Sequence, residues 1–225
     1  MHEKILYRMK LPDDFNIPPV VIVLPFRKMF QELKCRERKD IPPGIGEACF
    51  LKNVCVIYDV FSGQKNFFIA SLLFASGVEQ LIFYGTAGDL TGKFQIGEIV
   101  LPEIVASTFG FIDYKPYNEV RFCPPDGMKR FSNLQSGKVL TVFSPLEESY
   151  EFISESRKKG FELVEMELFP LMIAGKLYSR QIYPFLIVSD RFEEGKWRPF
   201  FTEKNFIEKK FGFFEELVKY AEELV

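Results

Sequence analysis

The sequence predicts an α/β fold built on a mostly parallel or mixed sheet with helices on both faces. Two observations carry this expectation. Short apolar, β-branched runs alternate with stretches whose apolar residues recur at helical spacing, as in sheets covered on both sides. No linker or internal repeat breaks that alternation over 225 residues. One core can serve such a length, so a single domain over residues 1–225 is expected.

Each element follows from its own signal. Residues 20–24 are apolar and β-branched and end at Pro25, which marks a buried strand. Residues 27–38 place Met29, Phe30 and Leu33 on one side of a helix. Residues 48–60 alternate less cleanly, but Val54-Cys55-Val56-Ile57-Tyr58 is a strong strand signal. Residues 64–76 read as a helix through Phe68, Leu72 and Ala75, with Gly77 suited to its end. Residues 78–84 form the next buried strand, leading into Gly85-Thr86-Ala87-Gly88. A strand is expected at 98–105. The stretch 109–135 is rich in Pro, Asn, Asp and Gly and reads as a long surface excursion. Strands at 138–143, 162–166 and 182–189 and helices at 146–159, 167–177 and 203–224 complete the pattern. In the last helix Ile207, Phe211, Phe214, Val218 and Ala221 share one face.

Composition excludes several classes of function. A formal net charge of −2 leaves no basic excess for a nucleic-acid backbone. No apolar run reaches the length of a membrane span, and Met1-His2-Glu3-Lys4 lacks the apolar stretch of a secretory signal. A cytoplasmic protein is expected, with no nucleic-acid or membrane partner. The four cysteines, Cys35, Cys49, Cys55 and Cys123, form no C-x-x-C pair and read as reduced, mostly buried thiols. His2 is the only histidine, so triads and metal sites built on imidazole are poor candidates, and no metal is expected. The 26 Phe point to a ring-packed core.

Ligands of open α/β sheets bind at the carboxyl ends of strands, and three polar clusters fall there. Gly85-Thr86-Ala87-Gly88 has two glycines that allow a tight turn and close backbone approach, with amides and the Thr86 hydroxyl free to cradle an anion. A dinucleotide fingerprint fits badly, since the G-x-G-x-x-G order is absent. In Val164-Glu165-Met166-Glu167, Met166 ends a strand and Glu167 opens a helix, where the dipole favours a carboxylate. Strand alternation turns Glu165 to the other face, toward solvent. Ser189-Asp190 ends the third strand, where an ordinary helix cap competes with a catalytic role.

Taken in order, these residues resemble the nucleoside phosphorylase and nucleosidase family. Tyr84-Gly85-Thr86-Ala87-Gly88-Asp89-Leu90 with Gln95-Ile96-Gly97-Glu98-Ile99-Val100 is similar to its glycine loop and following strand. Val164-Glu165-Met166-Glu167 is similar to its sugar-binding motif, Val188-Ser189-Asp190 to its catalytic Ser-Asp, and Ser62-Gly63-Gln64-Lys65-Asn66 to a further turn. The resemblance implies a three-layer αβα sandwich around a mixed sheet and cleavage of a ribosyl–base bond. It implies Asp190 as the acid that protonates the departing purine and Glu167 as the anchor of the ribose hydroxyls, with Met166 beneath the sugar. Gly85, Thr86, Ala87 and Gly88 would line the nucleophile side, and Phe192, Trp197 or residues of the stretch 109–117 are the candidates to stack on the base. No cofactor is implied, and a homo-oligomer, dimer or higher, is expected.

Departures from the family pattern leave the attacking group open between water and phosphate, since the Glu that nucleosidases place after the first strand to activate water is also absent. Ile82 and Phe83 stand where phosphorylases carry a phosphate-binding Arg, and Leu24-Pro25-Phe26-Arg27 replaces their Gly-Asp-Pro-x-x-Arg turn. Thr86 and Arg27 are the residues left to hold phosphate as a co-substrate. The reading therefore leans to hydrolysis of a small-molecule nucleoside, with phosphorolysis and a non-catalytic nucleoside-binding protein as alternatives.

Overall fold

The structure, a computed structural model, describes residues 10–42, 44, 46–58, 63–108 and 119–225. His2, Ser62 and the stretch 109–117 lie outside them. Among the described residues, no helix is long and apolar enough to cross a membrane. The chain is α/β, as the sequence predicts, and gathers into two compact units, residues 1–84, 170–183 and 214–225 in one and 85–169 and 184–213 in the other.

In the first unit, β1 (Val20–Leu24) is buried at every position. Such a strand has no solvent face to alternate with. It pairs in parallel with β4 (Cys55–Tyr58) and with the first half of β5 (Gln80–Asp89). Beyond β4 the sheet turns antiparallel through β3 (Gly46–Phe50) to β2 (Glu37–Ile41). The helix expected over 27–38 stops early: α1 spans Arg27–Glu32, and Leu33 is already extended at ψ 134°. Arg38 explains the stop. Its guanidinium donates to the carbonyls of Phe30, Gln31 and Leu33 at 3.0, 3.3 and 3.0 Å, satisfying the helix end from the neighbouring strand. The expectation of reduced thiols is also corrected, because Cys35 and Cys49 form a disulfide that ties the turn after α1 to β3. Cys55 is buried, which pushes its thiol up to about 12, and Cys123 is exposed. The second helix, α2 (Gln64–Ala75), follows Gly63 in the left-handed region at φ 68°.

The second unit holds the strand order β5, β9, β8, β6, β10, β11, with β7 (Glu119–Arg121) beside β6 (Ile99–Ser107). β6, β8 (Gln135–Thr141) and β9 (Leu163–Glu165) run parallel, while β9 is antiparallel to β5. The helix expected at 146–159 divides in two. A 3₁₀ turn over Pro145–Glu147 carries a capping box made by Ser144 and Glu147, and Ser149 then caps α3 (Tyr150–Lys158) anew. α4 (Leu168–Tyr178) follows β9, and α5 (Lys204–Glu223) closes the chain. The strand expected at 182–189 is longer than its apolar run: β10 spans Gln181–Glu193 and folds back onto β11 (Lys196–Pro199). Glu194 and Gly195 turn the hairpin, both at positive φ, the signature of a tight two-residue connection. Aromatic packing is evident where Phe131, Phe185 and Phe213 meet edge to face.

Candidate active site

The residues singled out by the sequence lie in the second unit, apart from Arg27, which is exposed at the start of α1 in the first. The glycine segment is not a turn. Gly85, Thr86, Ala87 and Gly88 are all part of β5, neither glycine has a positive φ, and Gly88 pairs with Val164 of β9. The expected anion cradle of free amides is therefore replaced by a paired strand. Gly88 serves close approach instead. A Cβ there would stand 2.6 Å from two atoms of the Trp197 ring and 2.9 Å from Asp190 Oδ2. Only glycine lets the indole and the carboxylate lie against this backbone.

Asp190 sits inside β10 rather than at its end, paired with Pro199 of β11. Its Oδ1 accepts the Ser189 hydroxyl at 2.6 Å, which leaves Oδ2 on the Gly88 side. Burial raises its pKa, and the Ser189 hydrogen bond only partly offsets that. Ser189 is itself buried and its hydroxyl also reaches the Ala87 carbonyl at 3.4 Å, linking β10 to β5. Phe192 belongs to a buried cluster with Leu90, Leu140, Val142 and Val164, against which Met166 and Trp197 pack. Its ring meets Trp197 edge to face at 5.5 Å. Arg157 of α3 fixes this strand by donating to the Phe192 carbonyl at 3.1 Å and to the Leu90 carbonyl.

Met166 and Glu167 lie half-buried in the bend between β9 and α4, and Glu167 Oε2 accepts the Met166 amide at 3.3 Å. Glu165 reverses its expectation: it is 5% exposed, not solvated. One oxygen accepts the amides of Glu167 and Leu168, each at 2.7 Å, and the other accepts the Thr141 hydroxyl. Alternation fails here because this strand is buried on both faces and the first amides of α4 need an acceptor. Asp89 is likewise structural. It is fully buried, accepts the amides of Thr91 and Gly92 at 2.9 Å, and pairs with Arg191 at 3.1 Å.

Trp197, one of the rings expected at the base, comes in from the unforeseen hairpin, and one contributor escaped the sequence reading. Glu148 follows the 3₁₀ turn, half-buried, with its pKa raised to about 7 by burial first and then by the negative charges of Asp190 and Glu147. Its signal was legible in retrospect: the capping box uses Glu147 and leaves the adjacent acid over. Cavities of about 390 and 530 Å³ open elsewhere, the first around Lys10–Asn16 and Ala75–Gly77, the second around Thr108, Phe152 and Lys159. Neither is lined by Asp190, where Trp197 occupies the space over Gly88.

No curated protein matches the chain in sequence. Its fold is that of nucleoside phosphorylases and nucleosidases. AMP nucleosidase from Bacteroides thetaiotaomicron is 21% identical with a TM-score of 0.66, over 93% of this chain and 90% of that one. Futalosine hydrolase of Helicobacter pylori is 16% identical with a TM-score of 0.72, over 93% and 100%. The 5′-methylthioadenosine/S-adenosyl homocysteine nucleosidase of Campylobacter jejuni is 14% identical with a TM-score of 0.73, over 92% and 99%. Identities this low speak for the fold alone, but residues 63–219 also match the family model of the phosphorylase superfamily. On that match, which covers more than half of its length and takes in the motifs at residues 84–100, 164–167 and 188–190, the chain belongs to the phosphorylase superfamily.

Proposed function

We propose that the protein hydrolyses the N-glycosidic bond of a purine-type nucleoside. The observation that carries this reading is Asp190, a buried carboxyl with a raised pKa, oriented through one oxygen by Ser189 and held beside the bare backbone of Gly88. In the reaction the C1′–N9 bond breaks with its electron pair going to the base. Asp190 gives a proton to N7, so the purine departs neutral. Glu167 accepts from the 2′ and 3′ hydroxyls and supports the positive charge growing at C1′, with Met166 under the sugar. Water adds to C1′ and loses a proton to solvent. Thr86, half-buried in β5, would border the nucleophile. The three similar structures are each named for a nucleosidase or hydrolase, which favours water as the attacking group.

The test is release of free base from a panel of nucleosides with and without phosphate. Hydrolysis requires release at the same rate in both. Ribose-1-phosphate formed only when phosphate is present would replace this reading with phosphorolysis, and binding without release, unchanged in Asp190→Ala, would leave a nucleoside-binding protein. The same reading makes the protein a homo-oligomer, with exposed Phe143, Leu146 and Tyr150 as the apolar surface to be buried.

A further inference from the structure

The seam between β5 and β10 has two faces, and Asp190 uses only one of them. Neighbouring residues on a strand point to opposite sides. Gly88 and Asp190 therefore meet on one face, and their successors Asp89 and Arg191 on the other. Phe192 and its β11 partner Trp197 share the face of Asp190, while Glu193 and Arg198 share that of Arg191. The reverse face thus carries a row of alternating charges from β5 across β10 to β11. Arg191 Nε donates to Asp89 Oδ2 at 3.1 Å and Arg191 Nη1 to Glu193 Oε1 at 3.2 Å, and Glu193 Oε2 pairs with Arg198 at 3.4 Å.

The contacts in this row are unequal. The Glu193–Arg198 pair is open to water and worth little. Asp89 is fully buried, and the Arg191 side chain is 22% exposed. Asp89 is already anchored in its own segment. The amides of Thr91 and Gly92, each at 2.9 Å, the Thr91 hydroxyl at 3.2 Å and the Phe94 amide at 3.3 Å all donate to it, from the turn that leaves β5. Arg191 is what crosses to β10. Its three guanidinium nitrogens each find a different acceptor: Asp89, the Phe94 carbonyl and Glu193. A planar fork held at three points has little freedom to turn or slide, and the residue before it on the strand is Asp190. Resting on the proposed glycosidic cleavage, we propose that Arg191 is a positioning residue. From the reverse face it locks β10 to the end of β5, and so fixes the Asp190 carboxyl against Gly88, where it gives its proton to the base.

The test separates charge from shape. Arg191→Lys keeps a cation beside the buried Asp89 but offers one point charge in place of the fork. If Arg191 only neutralised Asp89, lysine would restore both stability and rate. Positioning requires that Arg191→Lys melt close to the native protein and still lose about tenfold to a hundredfold in kcat for base release, with KM changed by less than about twofold, the scale of a catalytic group displaced by about an ångström. Arg191→Met, which leaves the Asp89 carboxylate buried without its cation, should lose stability as well. A native kcat in Arg191→Lys, or a loss seen in KM alone, overturns the proposal. Should Arg191→Lys fail to fold, Glu193→Ala removes one of the three acceptors at a partly exposed position. A severalfold loss of kcat there upholds the proposal, and a native kcat overturns it. The failure of the underlying reading is separable, because Trp197 is the only tryptophan and its ring stands over the same Gly88 backbone as Asp190. If the native protein releases base from no nucleoside, hydrolysis fails, and the emission of Trp197 with its quenching by acrylamide decides for the clamp. Changed in folded Arg191→Lys or Glu193→Ala, they uphold it; identical to the native protein, they sink it.

Discussion

Asp190 and Gly88 act as one device, since the carboxylate takes its place only because β5 lacks a side chain there. Asp190→Asn keeps the shape and the Ser189 contact but removes the proton, and should lower kcat by about a hundredfold to ten-thousandfold with the melting temperature held. Because burial raises the Asp190 pKa, the alkaline limb of the rate profile should lie above the ordinary carboxylate range. Gly88→Ala should cost about a hundredfold in kcat/KM, as expected for a displaced catalytic group, and shift the Trp197 emission as the indole is pushed away. Asp190, Met166 and Glu167 were legible from the sequence as short motifs. Trp197 was legible only as one of several rings, and Glu148 only as an acid left over beside a capping box, because what marks each is a neighbour far away in the chain, Gly88 for the one and Asp190 for the other.

Among the elements, α4 depends most plainly on one side chain. Glu165 accepts its first amides and the Thr141 hydroxyl, whose oxygen in turn accepts the Phe169 amide at 3.1 Å. Glu165→Ala should cost about 2 kcal/mol in urea unfolding, the combined scale of a lost cap and a buried group left unpaired. Burial raises the Glu165 pKa above its unfolded value, against the lowering effect of the Thr141 hydroxyl and the two amides. Its contribution is therefore full at acid pH and declines as pH rises through the folded pKa, so the loss in Glu165→Ala should be larger at pH 5 than at pH 8. Elements were read best where local pattern decides, as in β1 and α2. They were misread where a distant partner decides: Arg38 ends α1, β9 pairs with β5 at Gly88 and Asp89 where a turn was expected, and β11 prolongs β10 past its apolar run.

For the whole molecule, the α/β class followed from alternating apolar patterns, while the Cys35–Cys49 bond did not, because spacing says nothing about which thiols meet. Closing a loop with a sequence separation of 14 is worth about 3 kcal/mol. Reduction, or Cys35→Ser with Cys49→Ser, should lower the denaturation midpoint accordingly while leaving base release intact, since the bond lies in the first unit. Sedimentation should find a dimer or larger, and Leu146→Lys, at a position 95% exposed, should shift it toward monomer. The hairpin turn at Glu194-Gly195 carries a different consequence. Its two-residue length fixes the register that sets Trp197 opposite Phe192, and strand faces alternate with a period of two. Inserting one residue in that turn would rotate the indole to the opposite face and put an unlike side chain over Gly88. The side chain that covers Gly88 is thus governed by loop length at a surface turn, so that an insertion there can re-clothe this backbone while Gly88 and Asp190 keep their places in the sequence.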